Sequence, residues 1–338
     1  MWLQILPLLI ALMLFFVALP SSAAQLELKN GDKLTGTVIR LEGNNLLFKT
    51  DYAGVLTIDW RKVTKLTTDQ DVTVLTKDRR LLEGKMTGSP DDGYTIETRQ
   101  GEVIQAEQAM VATVNPEDWK VGRATEWTGM INASLKVERG NSAKEEIDFD
   151  GRATMRREDD RLEFHGELEY DTSLGSTTKQ SWLVSSKYDS FVTQQKYYAM
   201  NAVVEHDKFN GLNLRYHLGP AVGYQFFEES RRNLRAEVGL YFSSSDIESK
   251  PRNQSLATGW LIDGDYTFDT ANVTAYHWQT MILSNPENMN FKSRTGLRVP
   301  LGGGFLGSAE IEANWDAETA ASTDKTELIY RFKLGYGW

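Results

Sequence analysis

Residues Tyr330 to Trp338 read YRFKLGYGW. Tyr330, Phe332, Leu334, Tyr336 and Trp338 alternate with Arg331, Lys333, Gly335 and Gly337. Side chains alternate across a strand, so one face is apolar and aromatic and the other is cationic or bare. A greasy outer face over a polar inner face suits the closing strand of a transmembrane β-barrel. An amphipathic strand of a soluble sheet carries the same alternation, so the rest of the chain decides.

Upstream of this stretch the alternation continues, and from Trp127 onward twelve segments can be read. The first has Trp127, Gly129, Ile131, Ala133, Leu135 and Val137 on one face. In the second, Ile147, Phe149, Gly151, Ala153 and Met155 oppose Asp148, Asp150, Arg152 and Arg156. The sixth runs through Leu212, Leu214, Tyr216, Leu218, Pro220, Val222, Tyr224 and Phe226, and the ninth through Tyr276, Trp278 and Ile282. An even count fits bacterial barrels. Short connections near 158–160, 190–193, 228–231, 269–272 and 300–304 take turns with longer polar ones near 140–144, 173–178, 206–211, 243–255, 284–290 and 316–325. Tight periplasmic turns against longer extracellular loops give this pattern. It puts both ends of the barrel, and whatever precedes it, in the periplasm. Aromatics such as Trp127, Tyr170, Trp182, Phe242 and Trp315 gather near segment ends, as interface girdles do.

Composition agrees with that reading. The net charge of −10 argues against a nucleic-acid partner. The chain has no Cys, which excludes disulfides and thiolate metal sites. Its mean hydropathy of −0.42 is that of a soluble protein. Membrane barrels share this, because lumen-facing polar residues cancel the lipid-facing ones.

Leu3 to Leu19 is almost continuously apolar, and small residues at Ser22 and Ala24 fit a signal-peptide cleavage site. Residues 1–24 are therefore expected to be a signal peptide cut after Ala24. The competing reading is a retained anchor, since the run approaches the length of a membrane span. The stretch MWLQ carries no Lys or Arg, but no basic stop-transfer segment follows the run either.

Residues 25–116 hold an internal duplication at an offset of 48 residues. Leu26, Leu34, Gly36 and Val38 align with Val74, Leu82, Gly84 and Met86, and Val63 and Leu66 with Val111 and Val114. Asn30-Gly31-Asp32 reads as a hairpin turn. Each copy reads as four or five short strands, the size of a small SH3-like or Sm-like barrel. The two copies are expected to share a core. No constellation here can run a reaction, and Asp32, Asp51, Asp59, Asp69 and Asp71 read as turn and solvent residues rather than metal ligands. The module is expected to bind peptidoglycan, a periplasmic protein or itself. The break at Asn115-Pro116 sets the boundary, leaving 117–338 as the barrel.

Trp127-Thr-Gly129, Arg139-Gly140-Asn141-Ser142, Asp160-Arg161-Leu162 and Gly219-Pro-Ala-Val-Gly223-Tyr224 follow one another at spacings that resemble the barrel domain of the salt-induced outer membrane protein family, over about residues 120–338. The resemblance implies an outer-membrane barrel linked to osmotic or salt stress, and brings no active site to carry over. The last aromatics also resemble the signal by which outer-membrane barrels are recognised. That implies Tyr336 and Trp338 as its residues and the barrel-assembly machinery, with outer-membrane lipid, as partners.

The inner face is charged with both signs. Arg215, Arg235, Glu237, Asp263, Asp265, His165, His217 and His277 are the candidate lumen-lining residues by strand parity. Two readings stay open: an ion-pair network sealing a narrow barrel, or opposed walls of charge around a narrow pore. An enzyme is the alternative from another class. His206 beside Asp207 sits at a strand end, but adjacent residues on a strand face opposite ways. No G-x-S-x-G, H-E-x-x-H or phosphate loop is present. No catalytic residue, cofactor or metal is therefore assigned, and the expected function is a narrow channel or stress-related envelope protein. A sealed barrel anchoring the periplasmic module is the runner-up.

Overall fold

The computed structural model describes residues 23–107, 110–138, 144–268, 272–285, 288–317 and 325–338, with the side chains of 136–138 and 144 excepted. The apolar leader and the Arg139–Ser142 motif lie outside the described residues, and Ala24 is the first residue of the first strand. The chain is all-β and divides into two units, Met1–Glu117 and Asp118–Trp338.

The first unit contains β1(Ala24–Leu28), β2(Lys33–Glu42), β3(Asn45–Thr50), β4(Gly54–Asp59) and β5(Val63–Thr67), with a 3-10 turn at Trp60–Lys62 between the last two. A second copy follows as β6(Val72–Thr76), β7(Leu81–Ser89), β8(Gly93–Thr98), β9(Val103–Ala106) and β10(Val111–Val114). The 48-residue repeat is thus a repeat of pairing as well as of residues. β1 pairs with β2 and β5, and β2–β3–β4 is a meander. β6 pairs with β7 and β10, and β7–β8–β9 is the same meander. This is the SH3-like order, made twice.

The copies interlock by exchange. β5 pairs with β7 of the second copy, and β10 pairs back with β2 of the first. Each copy alone presents too little apolar surface, and the shared sheet closes one core over both. The core repeats at the same offset: Leu26 and Val74, Val38 and Met86, Leu46 and Tyr94, Phe48 and Ile96, Leu66 and Val114 are all buried together. Trp60 breaks the symmetry. It is fully buried and stacks on Tyr94 of the other copy, with ring centroids 5.9 Å apart. The residue 48 positions later is Gln108. Gly36 and Gly84 are repeated for a steric reason. A Cβ on either would run into the carbonyl oxygen of Lys49 or Glu97 on the neighbouring strand.

The second unit opens with a 3-10 turn at Asp118–Val121 and continues as twelve strands. These are β11(Glu126–Glu138), β12(Lys144–Arg156), β13(Asp160–Ser173), β14(Ser176–Phe191), β15(Lys196–Asp207), β16(Leu212–Glu228), β17(Arg232–Ile247), β18(Asn253–Thr267), β19(Thr274–Asn285), β20(Asn288–Gly302), β21(Phe305–Asp316) and β22(Thr326–Gly337). Each pairs antiparallel with the next, and β22 returns to β11 to close a barrel. The alternation sends apolar side chains outward: Leu135, Val238, Leu256 and Phe332 are 70%, 63%, 80% and 81% exposed. So much apolar surface on a closed wall is the surface of a lipid-facing protein.

The connections depart from the expected alternation of long and short. The polar stretches 173–178, 243–255 and 284–290 are mostly strand. The described turns there shrink to 174–175 and 248–252. Ser243, Ser244 and Ser245 pair with Ser255, Gln254 and Asn253. A polar side chain does not interrupt a ladder whose backbone groups all find partners, so polarity alone does not mark a loop.

Two outward assignments also change. Leu212 is buried, because a register shift between Leu212 and Leu214 turns the strand end inward. In β19 the faces are exchanged. Trp278 lies opposite Asp263 and Arg294, both inward, so Tyr276, Trp278, Thr280 and Ile282 face the lumen. His277, expected in the lumen, points outward. It lies across from Thr295, whose hydroxyl is 2.8 Å from Nδ1. Aromatic character misassigned the strand, whereas register, propagated from its neighbours, decides the face.

Candidate functional site

The charged inner face forms the site, and its side chains span the lumen rather than line it. Arg152 on β12 reaches Asp263 on β18, six strands away around the ring, at 3.4 Å. Asp263 also accepts from Arg235 at 2.7 Å. Arg235 continues to Glu163 of β13 at 2.9 Å. Glu237 pairs with Lys187 and accepts from the Tyr197 hydroxyl at 2.9 Å. Lys187 also reaches Glu163 at 3.2 Å and Asp189 at 3.4 Å.

Farther along the barrel Arg294 of β20 donates to Glu167 of β13 at 2.6 Å and to Glu312 at 3.0 Å. Glu167 is also paired with His165. Lys292 donates to Glu205 of β15 at 2.6 Å. Arg215 of β16 joins Glu205 at 3.1 Å to Asp316 of β21 at 2.6 Å. Most of these groups are buried and the rest partly so, and such pairs hold only because each charge meets an opposite one with a hydrogen bond.

At the end where the chain enters the barrel, an aromatic stack covers part of the cross-section. The Arg156 guanidinium lies 4.4 Å from the Trp119 ring and 4.0 Å from the Phe191 ring. It also makes two parallel bonds to Glu228, at 2.9 and 3.0 Å. Arg161 sits beside this stack, donating to Asp189 at 2.7 Å and to Gln225 at 2.9 Å.

Space remains between the bridges. A cavity of about 540 Å³ lies beside Thr154, Asp265, Arg298 and Trp338. A second, of about 120 Å³, shares Arg152, His165 and Trp278 with the first. A third, of about 100 Å³, shares Glu167, Glu205, Asn290 and Lys292 with the second and ends among Asp207, Asn210 and Glu327. Each is large enough for water. The three lie in series along the barrel, with cross-lumen ion pairs at their junctions.

Of the candidates read from sequence, Arg215, Arg235, Glu237 and Asp263 are members of the bridges, and His165 joins them through Glu167. Asp265 lines the largest of the three cavities. His217 is buried beside the middle cavity, and neither ring nitrogen has a hydrogen-bond partner among the described residues. His277 is outside the set. Tyr336 pairs with Ile131 and packs on Phe305, and Trp338 exchanges both backbone hydrogen bonds with Gly129 at 3.0 Å. Both therefore hold the barrel's closing seam. Sequence reasoning missed Lys187, Asp189, Glu205 and Lys292. Parity shows the first three, since they share the inward phase of β14 and β15. Lys292 shares the inward phase of Arg294 on β20, which Leu297 and Val299 mark only weakly.

No curated protein matches the chain in sequence. Among solved structures it is similar to a NanC porin at 10% identity, covering 62% of this chain and 98% of that one with a TM-score of 0.40. A KdgM porin gives 9% identity, 63% and 98% coverage and a TM-score of 0.34. The translocator domain of the autotransporter NalP from Neisseria meningitidis gives 10%, 63%, 88% and 0.33. Residues 131–338, which carry nearly the whole charged lumen, match the family described as "Protein of unknown function, DUF481", and the chain belongs to that family.

Proposed function

We propose that the chain is an outer-membrane barrel protein acting as a narrow, gated channel for small polar or charged solutes. The observation that carries this is the series of three cavities with charged side chains in their walls, joined through shared residues and interrupted by ion pairs. A barrel serving only as an anchor gains nothing from chambers of this size. One that passes solute needs sites favourable to enter and weak enough to leave. The function is taken as transport rather than catalysis. With even strand number, the chain enters and leaves the barrel at one end. We take that end as periplasmic, which assigns residues 25–116 to the periplasm, with peptidoglycan or a periplasmic protein as partner. Assembly by the barrel machinery, through Tyr336 and Trp338, and a role in salt or osmotic stress belong to the same reading.

The test is conductance in planar bilayers of chain refolded in detergent and checked for the heat-modifiable migration of a closed barrel. Wild type is expected to give small discrete steps. Arg294→Ala, which removes the partner of Glu167 and Glu312, should enlarge them several-fold. Folded barrels of both kinds that pass no current would overturn the channel.

The wall-to-wall reach of the bridges favours one second reading, a sealed barrel anchoring the module. It predicts silence in that experiment, and loss of the cellular phenotype when residues 25–116 are deleted.

A further inference from the structure

The barrel closes unevenly. Every other pair of neighbouring strands runs for ten to fourteen register positions. β11 and β22 share four, from Met130↔Gly337 to Ala133↔Leu334, extended by the Gly129–Trp338 hydrogen bonds. Among the described residues, the two strands run on beyond Ala133 without pairing to each other. Ser134–Glu138 stay bonded to β12, and Thr326–Lys333 to β21. Each therefore has one free edge on the side where the other should lie.

A free edge is costly at membrane depth, because lipid offers no partner to an N–H or C=O and each unmet group costs several kcal/mol. Barrel closure normally removes such edges. Here polar side chains stand behind the gap instead. Lys333 reaches past β11 to Asp150 of β12 at 2.7 Å, and Arg331 to Asp148 at 3.6 Å and to Glu169 of β13. Glu327 accepts from Lys179 of β14 at 3.1 Å. On the outer side the same stretch carries Leu135, Leu328, Tyr330 and Phe332, exposed by 70%, 55%, 67% and 81%. Charges of both signs thus stand inside the gap, and a greasy flank outside it.

We infer that the unpaired part of the β11–β22 seam is a lateral port from the lumen to the membrane, and that its occupant is a zwitterionic phospholipid. The headgroup's cation faces Glu169 and Glu327, its phosphate faces Arg331 and Lys179, and the acyl chains lie along Leu135 and Phe332. The head also supplies polar partners to the free strand edges. This rests on the barrel spanning a membrane. It does not require the axial path to conduct.

The absence of Cys makes the port directly testable. Ile131→Cys with Tyr336→Cys joins register partners. Leu135→Cys with Phe332→Cys joins the positions that would pair if the ladder ran two residues farther. Under mild oxidation the first pair is expected to form a disulfide and the second to form several-fold less. Equal yields would show a continuous seam and overturn the port. Both variants are checked for heat-modifiable migration. Its loss in wild type as well would count against the barrel itself, which keeps the two failures apart.

For the occupant, the chain is refolded in equimolar phosphatidylcholine and phosphatidylglycerol, delipidated, and its retained lipid weighed by native mass spectrometry. Phosphatidylcholine should be retained several-fold over phosphatidylglycerol. The preference should fall in Arg331→Gln and, where that variant folds poorly, in Lys179→Gln at the rim. Equal retention of both lipids, or of neither, would overturn the assignment.

Discussion

In the first unit Leu26, Val38, Phe48 and Met86 face one another and most charged side chains face outward. In the barrel Arg235, Glu237, Arg294 and Glu312 are buried while Leu256 and Phe332 are exposed. The strand alternation is the same in both, and the buried phase is opposite. A two-residue period therefore reports a strand with two unlike faces, but not which face is inside. That choice belongs to the solvent. In water the apolar phase is buried by the hydrophobic effect. In lipid the outer surface gains nothing by being polar, and the charged phase turns inward where partners can satisfy it.

The sharpest way to break this comparison is to remove a large apolar side chain from each unit. Trp60→Ala empties the centre of the first unit's core and is expected to cost about 3–5 kcal/mol. Urea unfolding followed by circular dichroism should show the module's transition lost or moved far down. Phe332→Ala removes a comparable ring from the barrel's outer face, and in detergent should leave the barrel's midpoint nearly unmoved. Equal losses at the two sites would mean that the outer face is a protein core after all.

A polar deletion should reverse the pattern. Arg235→Met leaves Glu163 and Asp263 buried with one cation fewer, at a cost of about 3 kcal/mol or more. Replacing both members of a pair, as in Lys187→Met with Glu237→Leu, should cost far less, because no buried charge is left alone. Refolding yield and denaturant midpoints in one lipid mixture measure both. A double variant as damaged as the single would show that the pairs supply net stability rather than register and closure.

Protonation separates the units further. Burial pushes the Tyr94 phenol up to about 12. Its folded value lies above the unfolded one, so the neutral ring's contribution is complete below about pH 10 and is lost as pH rises towards 12. The first unit should therefore lose up to about 3 kcal/mol across that window. Tyr94→Phe should flatten the dependence there. Alkaline unfolding followed by circular dichroism distinguishes them, and an unchanged alkaline limb in Tyr94→Phe would reassign the effect to another group.

The fold was largely legible because both units repeat a short-range signal many times. Twelve alternating segments with a common phase rule leave few architectures, and a 48-residue offset shared by Leu26 and Val74 or Gly36 and Gly84 marks a duplicated module. What stayed hidden was non-local. His277 and Trp278 exchange faces because their phase is inherited from Asp263 and Arg294 across the ladder, which no single segment shows. The bridges themselves join residues as distant as Arg152 and Asp263. Parity says that both point inward, but only barrel closure says that they meet. The polar ends of β13, β17 and β19 read as loops because serine and asparagine are turn formers in isolation, and a pairing partner overrides that preference.

The smallest effect tests whether the two copies in the first unit are equivalent. Asp59 caps the 3-10 turn that carries Trp60 into the core, its side chain accepting from the Arg61 backbone N–H at 3.0 Å. The Arg61 hydrogen bonds also hold its carboxyl below the usual range. That contribution is therefore present above about pH 4 and fades as pH falls below it, weakened by exposure to solvent. The matching position in the second copy is Glu107, and no tryptophan follows it. Asp59→Ala should cost about 1 kcal/mol, Asp59→Asn less, and Glu107→Ala less still. Chemical denaturation at neutral pH ranks the three. A Glu107 effect as large as that of Asp59 would mean that the carboxylate contributes alike in both copies, and that Trp60, rather than its cap, is the whole of their difference.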